Sequence, residues 1–194
     1  MRTNILYIHG YGGSGNSRTA QALRNCLSEN YNVFEPCFPI NPVEAVALAQ
    51  ETLRTKGIDI VVASSLGAFT ALQLRDVPKI LINPCLYPSK ELPKLTDISE
   101  DILQKFVEME NQFKEWITEI NNKDWGETGS VETMWTYGIF STNDELFSYE
   151  DDFLKYYPNY QVQTIEDTHR ISVENVEKVI VPIIREIENS SFLV

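Results

Sequence analysis

Short apolar runs of β type alternate along this chain with segments whose apolar residues recur at helical spacing, and this alternation constrains the fold more than any other feature. Residues 4–8 (NILYI) form the first run, which ends at His9-Gly10; a glycine-rich turn follows, and Ala20, Leu23 and Leu27 then mark a helix. Residues 31–34 are the second run. Asn41-Pro42-Val43-Glu44 opens the next helix with a capping-box pattern and a proline in its first turn, and Val43, Val46 and Leu53 give it a buried stripe. Residues 58–63 make a third strand, apolar on both faces, as a parallel sheet covered by helices requires. Its helix carries Leu66, Phe69 and Leu72 and ends before Pro78. Residues 79–84, 134–140 and 161–165 are the fourth, fifth and sixth strands. The pattern predicts an α/β three-layer sandwich with an open, mainly parallel six-stranded sheet and right-handed crossovers.

One stretch, about residues 86–132, interrupts the alternation. Ile102, Phe106, Met109, Phe113, Trp116, Ile117 and Ile120 follow helical spacing behind Asp97-Ile98-Ser99-Glu100. A packing helix is the simpler expectation. The functional one is a lid over the carboxyl edge of the sheet, with Phe106, Phe113 and Trp116 walling an apolar pocket. The last helix begins near Ser172 and presents Val176, Val179, Ile183 and Ile187, and Pro182 should kink or divide it. The 194 residues are expected to form one domain around a single core.

Charge and composition exclude several classes. The net charge of −12, from 28 acids against 16 bases with no basic cluster, repels phosphate backbones and anionic lipid, so neither nucleic acid nor membrane is an expected partner. The same field disfavours highly anionic small substrates and favours neutral or zwitterionic ones. Cys26, Cys37 and Cys85 lack ligand-like spacing and are expected to be free buried thiols, with no disulfide and no metal. No run approaches the ~20 apolar residues of a membrane span, and the first residues do not read as a signal peptide. A cytoplasmic location is the resulting expectation, under which the acceptor-like triplet Asn189-Ser190-Ser191 is a chance match.

Three loops carry residues suited to chemistry. Gly10-Tyr11-Gly12-Gly13-Ser14-Gly15 satisfies the dinucleotide pattern G-x-G-x-x-G, and Glu35 stands 20 residues beyond Gly15, where a ribose-binding acid is expected. A P-loop is excluded because Asn16 holds the lysine position. A third reading makes the loop an oxyanion site, with the Tyr11 N–H as donor. The second loop, Ala63-Ser64-Ser65-Leu66-Gly67, has small residues where a tight strand-to-helix turn needs them. Ser65 has the flanks of a nucleophile, and Leu66 would supply a second oxyanion N–H. Helix capping by Ser64 or Ser65 competes with this reading.

A serine nucleophile needs a base and a carboxylate. His9 ends the first strand, and His169 follows the sixth. Asp144 follows the fifth strand, and Asp167, beside the base, is the substitute. The order Ser, Asp, His is that of the α/β-hydrolase pattern. A dinucleotide-binding protein using Gly10–Gly15, and a non-catalytic binding protein of the same fold, remain as alternatives.

The segments ILYIHGYGGSGNS, VVASSLGAFTALQL, ILINPCLYP, STNDELF and DTHR resemble those of small bacterial YqiA-like esterases in the α/β-hydrolase superfamily, over most of the chain. The resemblance implies a compact α/β-hydrolase fold with a helical insertion after the fourth strand. It further implies a cofactor-independent serine esterase acting on small-molecule esters, with Ser65 as nucleophile, Asp144 as acid and His169 as base. Tyr11 and Leu66 would be the oxyanion donors, with Gly10 and Gly12 beside the substrate. Ala63 stands where a glycine usually opens the serine turn.

Overall fold

The computed structural model of the chain describes residues 2–27, 29–123, 131–157 and 161–190. Six strands, β1 (Thr3–Ile8), β2 (Tyr31–Phe34), β3 (Ile60–Ser64), β4 (Lys79–Ile82), β5 (Thr136–Asn143) and β6 (Val162–Thr168), form one sheet in the order β2-β1-β3-β4-β5-β6. Every adjacent pair is parallel. The connecting helices are α1 (Arg18–Cys26), α2 (Pro42–Lys56), α3 (Leu66–Leu72), α4 (Pro88–Leu95), α5 (Glu100–Asn122), α6 (Val131–Met134), α7 (Glu150–Tyr156), α8 (Val173–Asn175) and α9 (Val181–Asn189).

Period-two alternation sorts the strand side chains into two cores. Ile5, Tyr7, Val62, Ile80 and Ile139 face α1 and α9, whose Leu23, Ile183 and Ile187 close the first. Leu6, Ile8, Val61, Leu81 and Phe140 face α2, α3, α5 and α7 through Ala49, Ala68, Phe113 and Phe153. The three expected layers are therefore present, and apolar residues on both strand faces follow from them.

Helix boundaries obey local chemistry. Asn41 caps α2 by accepting the Val43 N–H, and Gly57 closes it in the left-handed conformation, φ 56°. Ser99 and Ser172 cap α5 and α8. The last helix is broken near Pro182 as expected: a π-helical turn, Val176–Ile180, separates α8 from α9, and Pro182 stands in the first turn of α9, where a missing N–H is tolerated.

Three expectations change. Helices α4, α6 and α7 were not anticipated; Pro88 and Pro93 disguise the first, and α6 takes Met134 from the expected start of the fifth strand, which begins at Thr136. Strands β5 and β6 both run three residues further than the apolar runs, because the added Ser141-Thr142-Asn143 and Glu166-Asp167-Thr168 are polar ends that lead toward the carboxyl edge. Cys85 is buried, but Cys26 is only half-buried and Cys37 is exposed. Residues 124–130 of the insertion and Ser191 of the acceptor-like triplet lie outside the described residues. Among the described residues no helix is long and apolar enough to cross a membrane.

Candidate active site

The chain leaves β1 for β2 on one side and returns to β3 on the other, so the carboxyl ends of β1 and β3 flank the crevice where an open α/β sheet accepts ligands. Ser65 sits there, between β3 and α3, at φ 53° and ψ −121°, a conformation that non-glycine residues rarely adopt. Its backbone is held on both sides. The Ser65 N–H donates to the Ile82 carbonyl at 2.9 Å, and the Ser65 carbonyl accepts from Ala68 at 3.0 Å and Cys85 at 3.1 Å. Strain of this kind persists only where the surroundings over-determine it.

The choice between capping and another role is decided by the hydroxyls. Ser65 makes no side-chain capping bond to α3. Ser64 shares a 2.8 Å hydrogen bond with the Tyr7 hydroxyl, which occupies it. Gly67 is required by close approach: a Cβ there would lie 2.2 Å from the Ile8 carbonyl oxygen and 2.5 Å from that of His9.

The loop after β1 is a built structure. The Gly13 N–H donates to the Gly10 carbonyl at 3.1 Å, closing a turn with Gly12 at φ 70°, where a side chain would be strained. His9 locks this loop. Its Nε2 accepts the Phe38 N–H at 3.1 Å, so Nδ1 carries the proton and donates to the Gly10 carbonyl at 2.9 Å. With both nitrogens engaged, His9 is a framework residue. Glu35 is occupied as well: its buried carboxylate accepts the Ser17 N–H and pairs with Arg24 at 3.7 Å, so it is not presented to a ribose. The Gly10 Cα passes close to Ser65; a Cβ there would stand 3.0 Å from the Ser65 Cβ. Leu66 is the first residue of α3, where helical N–H groups have no internal acceptor.

Asp144 and His169 meet at the far side of the site. His169 Nδ1 lies 2.8 Å from Asp144 Oδ2, and both side chains are largely buried. Asp144 Oδ1 accepts the Leu146 and Phe147 N–H groups at 2.8 and 3.1 Å. Burial pushes this carboxyl up, but the His169 hydrogen bond and the two N–H groups together outweigh it and hold it below the usual carboxylate range. Asp167 is elsewhere: it accepts from Ser172 and Asn175 at the start of α8. Asp144 is therefore the carboxylate at the imidazole.

Several positioning groups escaped the sequence reading. The Phe147 ring packs edge-on against His169, with centroids 4.9 Å apart. The Glu145 carboxylate accepts the His169 N–H at 2.9 Å. Buried Asn83, at φ 44°, donates to the His169 carbonyl at 3.0 Å and accepts the Ser141 N–H at 2.8 Å. The only local signal for Asn83 was a polar residue directly after the apolar run Ile80-Leu81-Ile82, at the Asn83-Pro84 step that follows β4.

Ser65 and His169 line one cavity of about 520 Å³, together with Gly10, Tyr11 and Gly12. No hydrogen bond joins Ser65 Oγ to the imidazole among the described residues; such bonds are often long before substrate binds. The insertion reaches the cavity through Leu95 of α4, and the Tyr11 hydroxyl donates to Thr96 at 2.9 Å. Phe106, Phe113 and Trp116 do not line it. Phe106 packs on Phe69 and Leu92, Phe113 fills the second core, and Trp116 lies under the Arg75 guanidinium at 3.4 Å. The apolar stripe of α5 is used in packing, which overturns the expectation that these rings wall the pocket.

Sheet order, all-parallel pairing and the strained serine turn define an α/β-hydrolase fold. Residues 4–186 match the model of the Uncharacterised protein family (UPF0227), and the chain belongs to that YqiA-like family. Solved structures share the fold. Est1E from Butyrivibrio proteoclasticus aligns at TM-score 0.66 and 16% identity, over 97% of this chain and 89% of that one. An esterase from Exiguobacterium antarcticum gives 0.61 and 11%, over 96% and 92%, and a predicted CIB-like hydrolase from Thermoplasma acidophilum 0.61 and 15%, over 95% and 87%.

Proposed function

We propose that this protein is a serine hydrolase that cleaves carboxylic esters of small or medium acyl chains through an acyl-enzyme. His169 Nε2 takes the Ser65 Oγ proton as Oγ attacks the ester carbonyl. Asp144 holds the Nδ1–H tautomer and stabilises the imidazolium that forms. The N–H groups of Tyr11 and Leu66 receive the developing oxyanion, each such donor being worth about 100- to 1000-fold in turnover. The imidazolium then protonates the departing alcohol, and water, deprotonated by the same imidazole, releases the acid and restores Ser65. These steps need only groups of the chain and a water molecule.

The observation that carries this reading is the backbone of Ser65: φ 53° with no capping bond to repay it, at the wall of the cavity that His169 also lines. The test is hydrolysis of 4-nitrophenyl esters from acetate to octanoate by wild type and by Ser65→Ala, His169→Ala and Asp144→Ala. The expected loss is about 1000-fold or more in kcat for each variant. Wild-type turnover retained in folded Ser65→Ala would refute the mechanism, and a folded wild type inert across the series would favour a binding protein of this fold.

A further inference from the structure

We propose that the substrate of this cavity carries an anionic group, a carboxylate or phosphate, held by Arg18 and Arg170. The inference rests on the hydrolase reading above and adds the substrate class. The chain has 28 acidic against 16 basic residues, yet among the described residues no Asp or Glu lines the cavity, whereas two arginines do. They come from separate elements. Arg18 is the first residue of α1, between Ser17 and Thr19, which also line the cavity, and Arg170 directly follows His169.

Neither guanidinium has a carboxylate within ion-pair distance among the described residues, although Arg24, Arg54, Lys94, Lys105, Lys155 and Lys178 each have one. Arginine's planar fork suits carboxylate and phosphate oxygens in bidentate fashion. An unpaired arginine in the cavity that Ser65 also lines therefore selects for a ligand that brings the missing charge. Tyr11, Leu95 and Leu146 add exposed apolar surface to the same cavity, which suits a hydrocarbon spacer between the scissile carbonyl and the anion.

The net charge of −12 argues the other way at long range, and this is why the sequence alone favoured neutral substrates. That field is screened over a Debye length of about 8 Å at physiological salt. The nearby acids are engaged, Asp144 by the His169 imidazole and Glu145 by the His169 N–H, so direct guanidinium contact with the anion, rather than the net field, decides the preference.

The test uses two matched pairs of esters. Mono-4-nitrophenyl adipate against 4-nitrophenyl hexanoate places the charge on the acyl side. 4-Acetoxybenzoate against methyl 4-acetoxybenzoate places it on the leaving group. The expected result is that kcat/KM for the anionic member of one pair exceeds its neutral partner by roughly tenfold or more, the scale of one or two charge-assisted hydrogen bonds. That ratio should collapse in Arg18→Gln and Arg170→Gln, fall least in the lysine variants, and hold in Arg54→Gln on the distant α2. The responding pair shows which side of the ester bears the anion. If Ser65-dependent turnover of the neutral esters is intact, but neither pair favours the anion and the arginine variants leave both ratios unmoved, this proposal falls and the hydrolase reading stands. Absence of Ser65-dependent turnover of all four esters takes both down.

Discussion

Asn83 Nδ2 donates to the main-chain carbonyl of His169 at 3.0 Å, so a buried amide at the end of β4 fixes the loop that carries the imidazole two strands away. The same amide reaches the Ser141 hydroxyl at 2.9 Å and the Thr168 carbonyl at 3.3 Å. Asn83→Ala leaves buried Ser141 and two part-buried carbonyls without this partner, at a cost of about 1–3 kcal/mol for a fully buried group left unsatisfied. The expected outcome is a lower thermal midpoint and a kcat reduced more than KM is raised. Asn83→Asp, which turns a carboxylate toward two carbonyls, should be worse in kcat than Asn83→Ala; equal activity in all three proteins would remove Asn83 from this role.

Two glycines should respond oppositely to alanine. At Gly67 the new Cβ meets backbone oxygens at 2.2 and 2.5 Å, which cannot rotate away, so α3 must lift from β1. Gly67→Ala is expected to fail to fold, or to lose upwards of ~3 kcal/mol, with activity lost in any soluble fraction. Gly57 has open space around it and only its φ of 56° to penalise a side chain, so Gly57→Ala should cost about 1 kcal/mol with activity intact. Urea melts of both variants check the contrast.

The Asp144 carboxyl lies below its ordinary range in the folded protein, so the unfolded chain binds its proton more readily. Its contribution is thus present in full above the unfolded value near pH 4, and is lost as pH falls through the depressed folded value. Asp144→Asn should shrink the fall in urea midpoint between pH 6 and pH 3 relative to wild type. It should also lower kcat by about 10,000-fold, because the amide favours the wrong imidazole tautomer. An unchanged acid slope would mean that the carboxylate is not held as described.

At the amino end of β4, Lys79 forms a fully buried ion pair with Glu132, which also accepts from the Tyr157 hydroxyl at 2.6 Å. None of the three lines the cavity. Lys79→Met alone strands a buried carboxylate and should cost about 3–5 kcal/mol. The triple variant K79M/E132L/Y157F removes every polar group of the set and should recover most of that loss, with kcat/KM per folded molecule preserved. Additive losses across the three substitutions would contradict the coupling.

The six strands were legible because period-two burial in a covered parallel sheet leaves unbroken apolar runs, and Asp144 and His169 followed because each stands just after such a run. Tertiary function was less so. A helical stripe such as Phe106, Phe113 and Trp116 declares burial without naming the partner, and here the partners are Phe69, the sheet core and Arg75. Glu35 stands at a spacing that fits a ribose acid or a loop clamp equally, and its partners, the Ser17 N–H and Arg24, separate the two. Asn83 was invisible because its partners lie 58 to 86 residues away, beyond any local pattern.

The central claim is that Ser65 is the nucleophile, and covalent capture tests it most directly. Wild-type protein treated with a fluorophosphonate should gain the mass of one phosphonyl group, mapped by peptide fragmentation to Ser65, while folded Ser65→Ala gains none. Label on Ser64 or another hydroxyl, or its absence from a folded wild type that hydrolyses esters, would contradict the account.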